Sequence, residues 1–363
     1  MRWPNRLSTV LAAASLAGCT TVGPDFERPE PPASNGYAMA GTPAAPGVNL
    51  SPETRASGAW WTSLGSAELD RVIRQALADS PTLAEANAVL ARARANTDAA
   101  RGRLMPDGGL NAGGQRERIN TSSLGFPGFP SPTVTLYDLG GDVSYDLDLF
   151  GGKRRAVESS TAKAEAEARR AEAAYLSLTA NVALAAIRIA ALRAEIAAVQ
   201  ATISDDQHVS DMIGEAERAG GEARTALSNA SAQLAQDQAL LPPLEMSLSQ
   251  ARNRLAMLSG RPPANWTAPD FDMAGFTPPK DIPVVLPSAL ARQRPDILAA
   301  EADLHAATAD IGVRAADLYP NVSLSARLTQ TAQHPEDLFG YSASGWSIGG
   351  ALTAPVFRRG ELK

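Results

Sequence analysis

SPTLAEANAVLARARANTDAARGRLMPDGGLNA, residues 80–112, and RPDILAAEADLHAATADIGVRAADLYPNVSLSA, residues 294–326, are two versions of one pattern. Pro81 and Pro106 stand 25 residues apart, as do Pro295 and Pro320, and the two pairs are offset by 214 (295 − 81 and 320 − 106). A proline in a first helical turn loses nothing, because the N–H it lacks would have no intrahelical acceptor; a later proline cannot continue the helix. Each version therefore predicts a helix begun by one proline and ended by the other, and the chain reads as a tandem repeat.

After each closing proline the apolar period changes from helical to two. Val322, Leu324, Ala326 and Leu328 alternate with Ser323, Ser325, Arg327 and Thr329, and Val143, Tyr145, Leu147 and Leu149 alternate with Asp142, Ser144, Asp146 and Asp148. Strict alternation marks a strand with one apolar and one wet face. Less regular partners at 110–119 and 342–352 complete a hairpin in each copy. Four strands cannot close a barrel, and an open edge cannot be left in lipid, so closure falls to neighbouring subunits. A soluble four-stranded sheet is the plainer alternative, and it would need helices packed upon it.

The first hairpin leads through FGGKRR (150–155) into a long helical segment. Val157, Thr161, Ala164, Ala168, Ala171, Tyr175, Leu178, Val182, Ala185, Ile189, Leu192, Ile196, Val199 and Ile203 follow at steps of four and three, a heptad seam. A second seam runs through Leu176, Ala180, Ala183, Ile187, Ala190, Ala194, Ala197 and Ala201, with wetter stripes between: Asn181, Arg188, Glu195 and Thr202 on one side, Thr179, Arg193 and Gln200 on the other. Two seams with water before and behind describe a stave in a cylinder wall better than a bundle helix with one core. Arg188 and Asn181 argue against a membrane span at 175–192, a central Arg costing roughly 2.5–3.5 kcal/mol. The helix is expected over 153–218, a Gly220-Gly221 turn after it, and a return helix over 222–258 kinked at Pro242-Pro243. A later helix at 288–318 would stack on the return helix so that the two together match the long one.

Composition limits the rest. Aromatics make up only 5% of the chain, too few for a thick globular interior, and a net charge of −6 without basic runs argues against nucleic acid as a partner. His208, His305 and His334 are far apart, and Cys19 is the only cysteine, so neither a metal site nor a disulfide is expected. Arg2 and Arg6 precede an apolar run, 7–17, that ends in small residues, the layout of a secretory signal. Leu16, Ala17 and Gly18 followed by Cys19 resemble a bacterial lipobox, in which the cysteine is acylated and becomes the first residue of the mature chain. Each buried methylene of such an anchor contributes roughly 0.8 kcal/mol. Residues 24–52, rich in Pro, Ala and Gly, read as an extended tether.

Taken together these features resemble the TolC-like outer-membrane efflux channels, in particular their lipoprotein branch of the NodT type. The resemblance is carried by Leu16 to Cys19 with Val22-Gly23-Pro24, by Trp60-Trp61, by YDLDLFGGKRR (145–155), by ERAGGEARTALSNASAQLA (217–235), by LLPPLE (240–245) and by RQRPDILAAE (292–301). Ser80-Pro81-Thr82 departs from the Asn-x-Asp-Leu often found at that place in the family. The resemblance implies an α+β membrane protein: long antiparallel helical hairpins forming a periplasmic α-barrel, and four transmembrane strands per protomer contributing to a 12-stranded barrel of a homotrimer. It implies a passive exit duct working with a periplasmic adaptor protein and an inner-membrane RND-type transporter. The protein would lie in the outer membrane of a Gram-negative bacterium with no cofactor beyond the lipid on Cys19. By position, Arg218, Gly220, Gly221 and Thr225 form the adaptor-contacting tip.

The organisation expected is a signal peptide (1–18), a lipid-anchored tether (19–59), a first-copy helix (60–105), a first hairpin (106–150) and a long helical hairpin (151–259). An irregular segment (260–287), a second-copy helix (288–319), a second hairpin (320–357) and the start of a second helical hairpin (358–363) follow, the second copy reading as truncated. Two other functions compete. One is a periplasmic coiled-coil scaffolding lipoprotein, or a channel fragment without function. The other is an enzyme using Asp146 with Asp148, or Asp205 with Asp206, but the sequence offers no nucleophile, base and orienter that cluster, so no catalytic residue is assigned.

Overall fold

The computed structural model describes residues 21–30, 49–51, 58–125, 127–278, 281–283, 292–357 and 360. The lipobox Leu16, Ala17 and Gly18, with Cys19, lies outside these residues. So do 358–359 and 361–363, where the second helical hairpin was expected to begin. In chain order the elements are β1 (Asn49–Ser51), α1 (Ala67–Asp79), α2 (Pro81–Gly102), β2 (Asp107–Arg118), β3 (Thr133–Asp146) and α3 (Gly152–Arg218). Then come α4 (Arg224–Gln238), α5 (Leu241–Leu258), β4 (Asp281–Pro283), α6 (Pro295–Ala316), β5 (Asn321–Ala332) and β6 (Ser344–Thr353). The chain divides into two compact units: Met1–Pro29, Ala91–Ala166 and Ala300–Lys363 form the sheet unit, and Glu30–Leu90 with Glu167–Ala299 the helical unit.

The two proline-led stretches carry equal elements. Both α2 and α6 begin on their proline and run 22 residues, and both β2 and β5 run 12. The first-copy segment is not one helix. Ser66 caps α1, accepting the Leu69 N–H, and the chain turns extended at Ser80 before α2 starts. Proline disfavours helical geometry in the residue before it, so Pro81 that begins one helix also ends the other. In the second copy α6 starts at Pro295, as the proline pairing predicts; Ser288, the other start considered for this helix, lies outside the described residues.

In the helical unit, α1 and the Trp60–Leu64 turn pack on the middle of α3, with Trp61, Leu69, Val72, Ile73, Ala76, Val182, Ala186, Ile189, Leu255 and Phe271 buried in one core. Several polar groups at its rim are engaged: Trp61 donates to Asp70 (3.0 Å), Tyr175 to the Gly58 carbonyl (3.0 Å) and Arg193 to the Phe271 carbonyl (2.9 Å). Thr179, read from the sequence as part of a wet stripe, is fully buried and accepts a hydrogen bond from Trp60 Nε1 at 3.2 Å. Arg193, on the same stripe, is half-buried by its bond. The kink expected in the return helix is present: α4 ends at Gln238 and α5 restarts at Leu241, with Ala239 and Leu240 between them still in right-handed helical geometry, because Pro242 and Pro243 lack the N–H groups that would continue the ladder.

The sheet unit holds a four-stranded antiparallel sheet in the order β2-β3-β5-β6. Alternation over-reached at the end of β3. Leu147 to Phe150 lie beyond the strand, and Asp148 takes a left-handed conformation (φ 45). The buried line at the start of α3 is Arg155, Ser159, Ala162 and Ala166, two residues out of register with the seam that was expected through Val157, Thr161, Ala164 and Ala168. Alanines on nearly every face of this stretch leave the periodicity ambiguous there. Thr97 of α2 fixes that face, donating to the Ser160 carbonyl at 2.9 Å. No described helix is long and apolar enough to cross a membrane.

Candidate functional site

Side chains directly opposite one another in an antiparallel pair share a face, so the register sorts the whole sheet. One face carries Leu110 and Ala112 of β2, then Tyr137, Leu139, Val143 and Tyr145 of β3. It continues with Val322, Leu324, Ala326 and Leu328 of β5, and Trp346, Ile348 and Leu352 of β6. The other carries Asn111, Gln115, Asp138, Asp142, Ser144, Ser323, Ser325, Arg327 and Ser347; the sorting breaks down toward the β2–β3 loop, where Arg116 and Arg118 share the first face and Val134 and Leu136 the second. The apolar face is uncovered: Leu110 is 91% exposed, Ile348 78%, Trp346 76% and Leu352 69%. Among the described residues, both edge strands, β2 and β6, have an unpaired side.

The second feature is the turn between α3 and α4. Gly220 sits at φ +74, its N–H bonds the Glu217 carbonyl (2.9 Å), and the Gly221 N–H reaches back to Ala216 (2.8 Å). This Schellman closure needs a left-handed residue that a side chain would strain, the reason glycine stands there. Arg218 is the last residue of α3 and donates through Nε to Gly214 (3.1 Å); Thr225 lies in the first turn of α4. The structure brings Arg218, Gly220, Gly221 and Thr225 together on one exposed turn.

The third feature went unassigned in the sequence: the junction between β3 and α3. Cations in a first helical turn face the positive end of the helix dipole, yet α3 opens with Lys153, Arg154 and Arg155. Each has an acceptor. Asp148 caps the helix, its carboxylate taking the Lys153 and Arg154 N–H groups at 2.9 and 3.0 Å and the Arg154 guanidinium at 3.3 Å, while Lys153 pairs with Asp146 (2.9 Å). Asp146 and Asp148 are thus a strand end and a helix cap, not a carboxylate pair on a strand. Arg155 is 3% exposed and bonded to residues 22–25 and to Glu158. Burial opposes ionisation of Glu158, but its bonds to Arg155 and to His305 (2.9 Å) outweigh this and hold its carboxyl below the ordinary value. The unbalanced basic run after FGGK was the signal that these residues have partners elsewhere. The start of the expected tether is likewise not loose, since Val22, Gly23 and Asp25 bond this junction and Phe26 and Arg28 meet side chains of α6.

Asp205 and Asp206 do not form the pair considered from the sequence. The partner of Asp206 is Asp237 of α4: hydrogen bonding between the two pushes Asp206 up from its ordinary value and holds Asp237 down. Among the described residues no group of His, Asp and Glu converges as a metal site.

The chain thus combines a sheet with one uncovered apolar face and a 67-residue helix. The chain belongs to the outer membrane efflux protein family, whose model matches residues 72–261 and 286–363. It is 29% identical over 308 residues to the pyoverdine export outer membrane protein OpmQ of Pseudomonas aeruginosa, a match covering 84% of this chain and 64% of that one. It is 27% identical to the probable outer membrane lipoprotein SilC of Salmonella typhimurium, covering 99% of this chain and 75% of the other. Among solved structures, the outer-membrane channel OprN superposes with a TM-score of 0.82 at 30% identity, over 92% of this chain and 73% of that one.

Proposed function

We propose that this chain is the outer-membrane channel component of a tripartite, RND-type efflux system, a passive exit duct for small molecules across periplasm and outer membrane. The observation that carries the reading is the uncovered apolar face. An open sheet with that face in water would be an aggregation site, whereas in lipid it is the outer wall of a barrel whose inward side is polar. Four strands per chain with two free edges suit closure by three copies into 12 strands.

Aromatic rings at both ends of the strands support the same orientation. Phe129, Phe339 and Tyr341 lie in the hairpin loops, and Phe150 stacks on Tyr319 (4.6 Å) at the opposite end, the placement of interfacial girdles in membrane barrels. In this reading Cys19 is acylated and anchors the chain, and the exposed turn at Arg218, Gly220, Gly221 and Thr225 meets the periplasmic adaptor. A scaffolding lipoprotein would account for the helices but would leave the apolar face in water.

The full gene product, purified with its lipid and reconstituted in a planar bilayer, is expected to give discrete cation or anion conductance. Protein that inserts but stays electrically silent under every voltage and salt tried would contradict a channel.

A further inference from the structure

We propose that Arg155 is a positioning residue that locks residues 22–28, as a strap, onto the foot of the sheet unit. The chain N-terminal to Thr21, and with it the lipid if Cys19 is acylated as proposed above, is thereby delivered at the β3–α3 junction. The guanidinium donates to the Val22 carbonyl (3.2 Å), the Gly23 carbonyl (3.4 Å), Asp25 Oδ1 (2.7 Å) and Glu158 Oε2 (2.8 Å), a fork-shaped donor meeting acceptors on two segments. From the other side the Val22 N–H closes on the Phe150 carbonyl at 3.1 Å.

Further along, Phe26 stacks on His305 (4.5 Å), His305 Nε2 meets Glu158 Oε1 (2.9 Å), and Arg28 pairs with Glu301 (2.6 Å). The strap is thus held at Val22, Gly23, Asp25, Phe26 and Arg28. Steric fit reinforces this. Gly23, at φ +92, crosses α6 at Gly312, where a Cβ on Gly23 would clash with the Gly312 Cα. A Cβ on Gly312 would in turn meet Arg155 Cγ at 2.8 Å. Gly312 therefore makes room for both the strap and the arginine.

A glycine inside a helix costs about 0.5–1 kcal/mol relative to alanine, so its place within α6 fits a close contact and not helix stability. The matching stretch of the first copy lacks the landing residues: 214 positions earlier, Glu301, His305 and Gly312 correspond to Asn87, Ala91 and Asp98. Strap binding belongs to one copy's side chains and not to the repeated fold.

The test uses the full gene product in detergent, spin-labelled at Glu27→Cys and Ala307→Cys, with Cys19 acylation read separately by mass spectrometry. The unmodified lock is expected to give one narrow distance. Arg155→Ala and Arg155→Lys should broaden it toward a free chain of about ten residues, a spread of roughly 15–20 Å, the lysine because a single ammonium cannot span the acceptors. Gly312→Ala serves where an Arg155 variant fails to fold: it should broaden the distance although alanine favours helix. A narrow distance retained in folded Arg155→Ala or in Gly312→Ala overturns the lock, as does a broad one in the parent protein. A narrow distance with unmodified Cys19 overturns the acylation and leaves the lock standing.

Discussion

The helical unit and the sheet unit contain the same kinds of apolar side chain and treat them in opposite ways. Around α1 and the middle of α3, Leu69, Ile73 and Ile189 are fully buried and Phe271 nearly so; on the sheet, Leu110, Trp346, Ile348 and Leu352 have no cover. The difference teaches that the first group completes its environment within one chain, whereas the second does not, and on the proposed reading meets lipid instead of water. A fold judged by its own interior would look unfinished at the sheet. As proposed, lipid and further copies of the chain would make the same surface an outer wall.

The sharpest way to break this comparison is to damage each region in turn. Phe271→Ala should cost about 3–5 kcal/mol of stability, seen as a lower melting temperature by circular dichroism in detergent, with no change in lipid requirement. Leu328→Arg should cost about 2–4 kcal/mol of membrane folding if the residue lies near the bilayer midplane. That loss is read by urea titration of folding into vesicles, and Ser325→Arg on the opposite face of the same strand should cost far less. Equal penalties for the two arginines would erase the distinction between the faces.

Two smaller effects sharpen the picture of the helical unit. Trp60→Phe removes the donor to Thr179 and should lower stability by about 1 kcal/mol in the same thermal assay. The Asp70 carboxyl is held below its ordinary value of 3.8 by Arg74 and then by the Trp61 indole. A depressed folded-state value stabilises the protein above the unfolded value, and that contribution is lost as the pH falls through the folded one. Melting temperature should therefore decline below about pH 4, and Asp70→Asn should flatten part of that decline, whereas Asp70→Asn with an unchanged acid profile would remove the carboxylate from the account.

Much of this was legible in the residues, and the reasons for the rest are physical. Pro81 and Pro295 mark helix starts because proline's constraint is local, and Val322 to Leu328 mark a strand because alternation is local too. Gly220-Gly221 announce a turn for the same reason. Thr179 could not be read as buried, since its partner Trp60 lies 119 residues away in the sequence. The seam at the start of α3 was misplaced by two residues because alanine identifies no particular face. The strap was invisible for a related cause: Arg155 finds its partners 130 to 133 residues earlier, and only an unfavourable charge at a helix start hinted at them.

One measurement bears most directly on the claim that the apolar face meets lipid. Single nitroxide labels at successive positions from Val322 to Thr329 in the reconstituted protein, scored for collision with oxygen and with a water-soluble nickel complex, report lipid and water at each side chain. Oxygen access should peak at positions 322, 324, 326 and 328 and nickel access at 323, 325, 327 and 329. A flat profile, or the same alternation in the opposite phase, would contradict it.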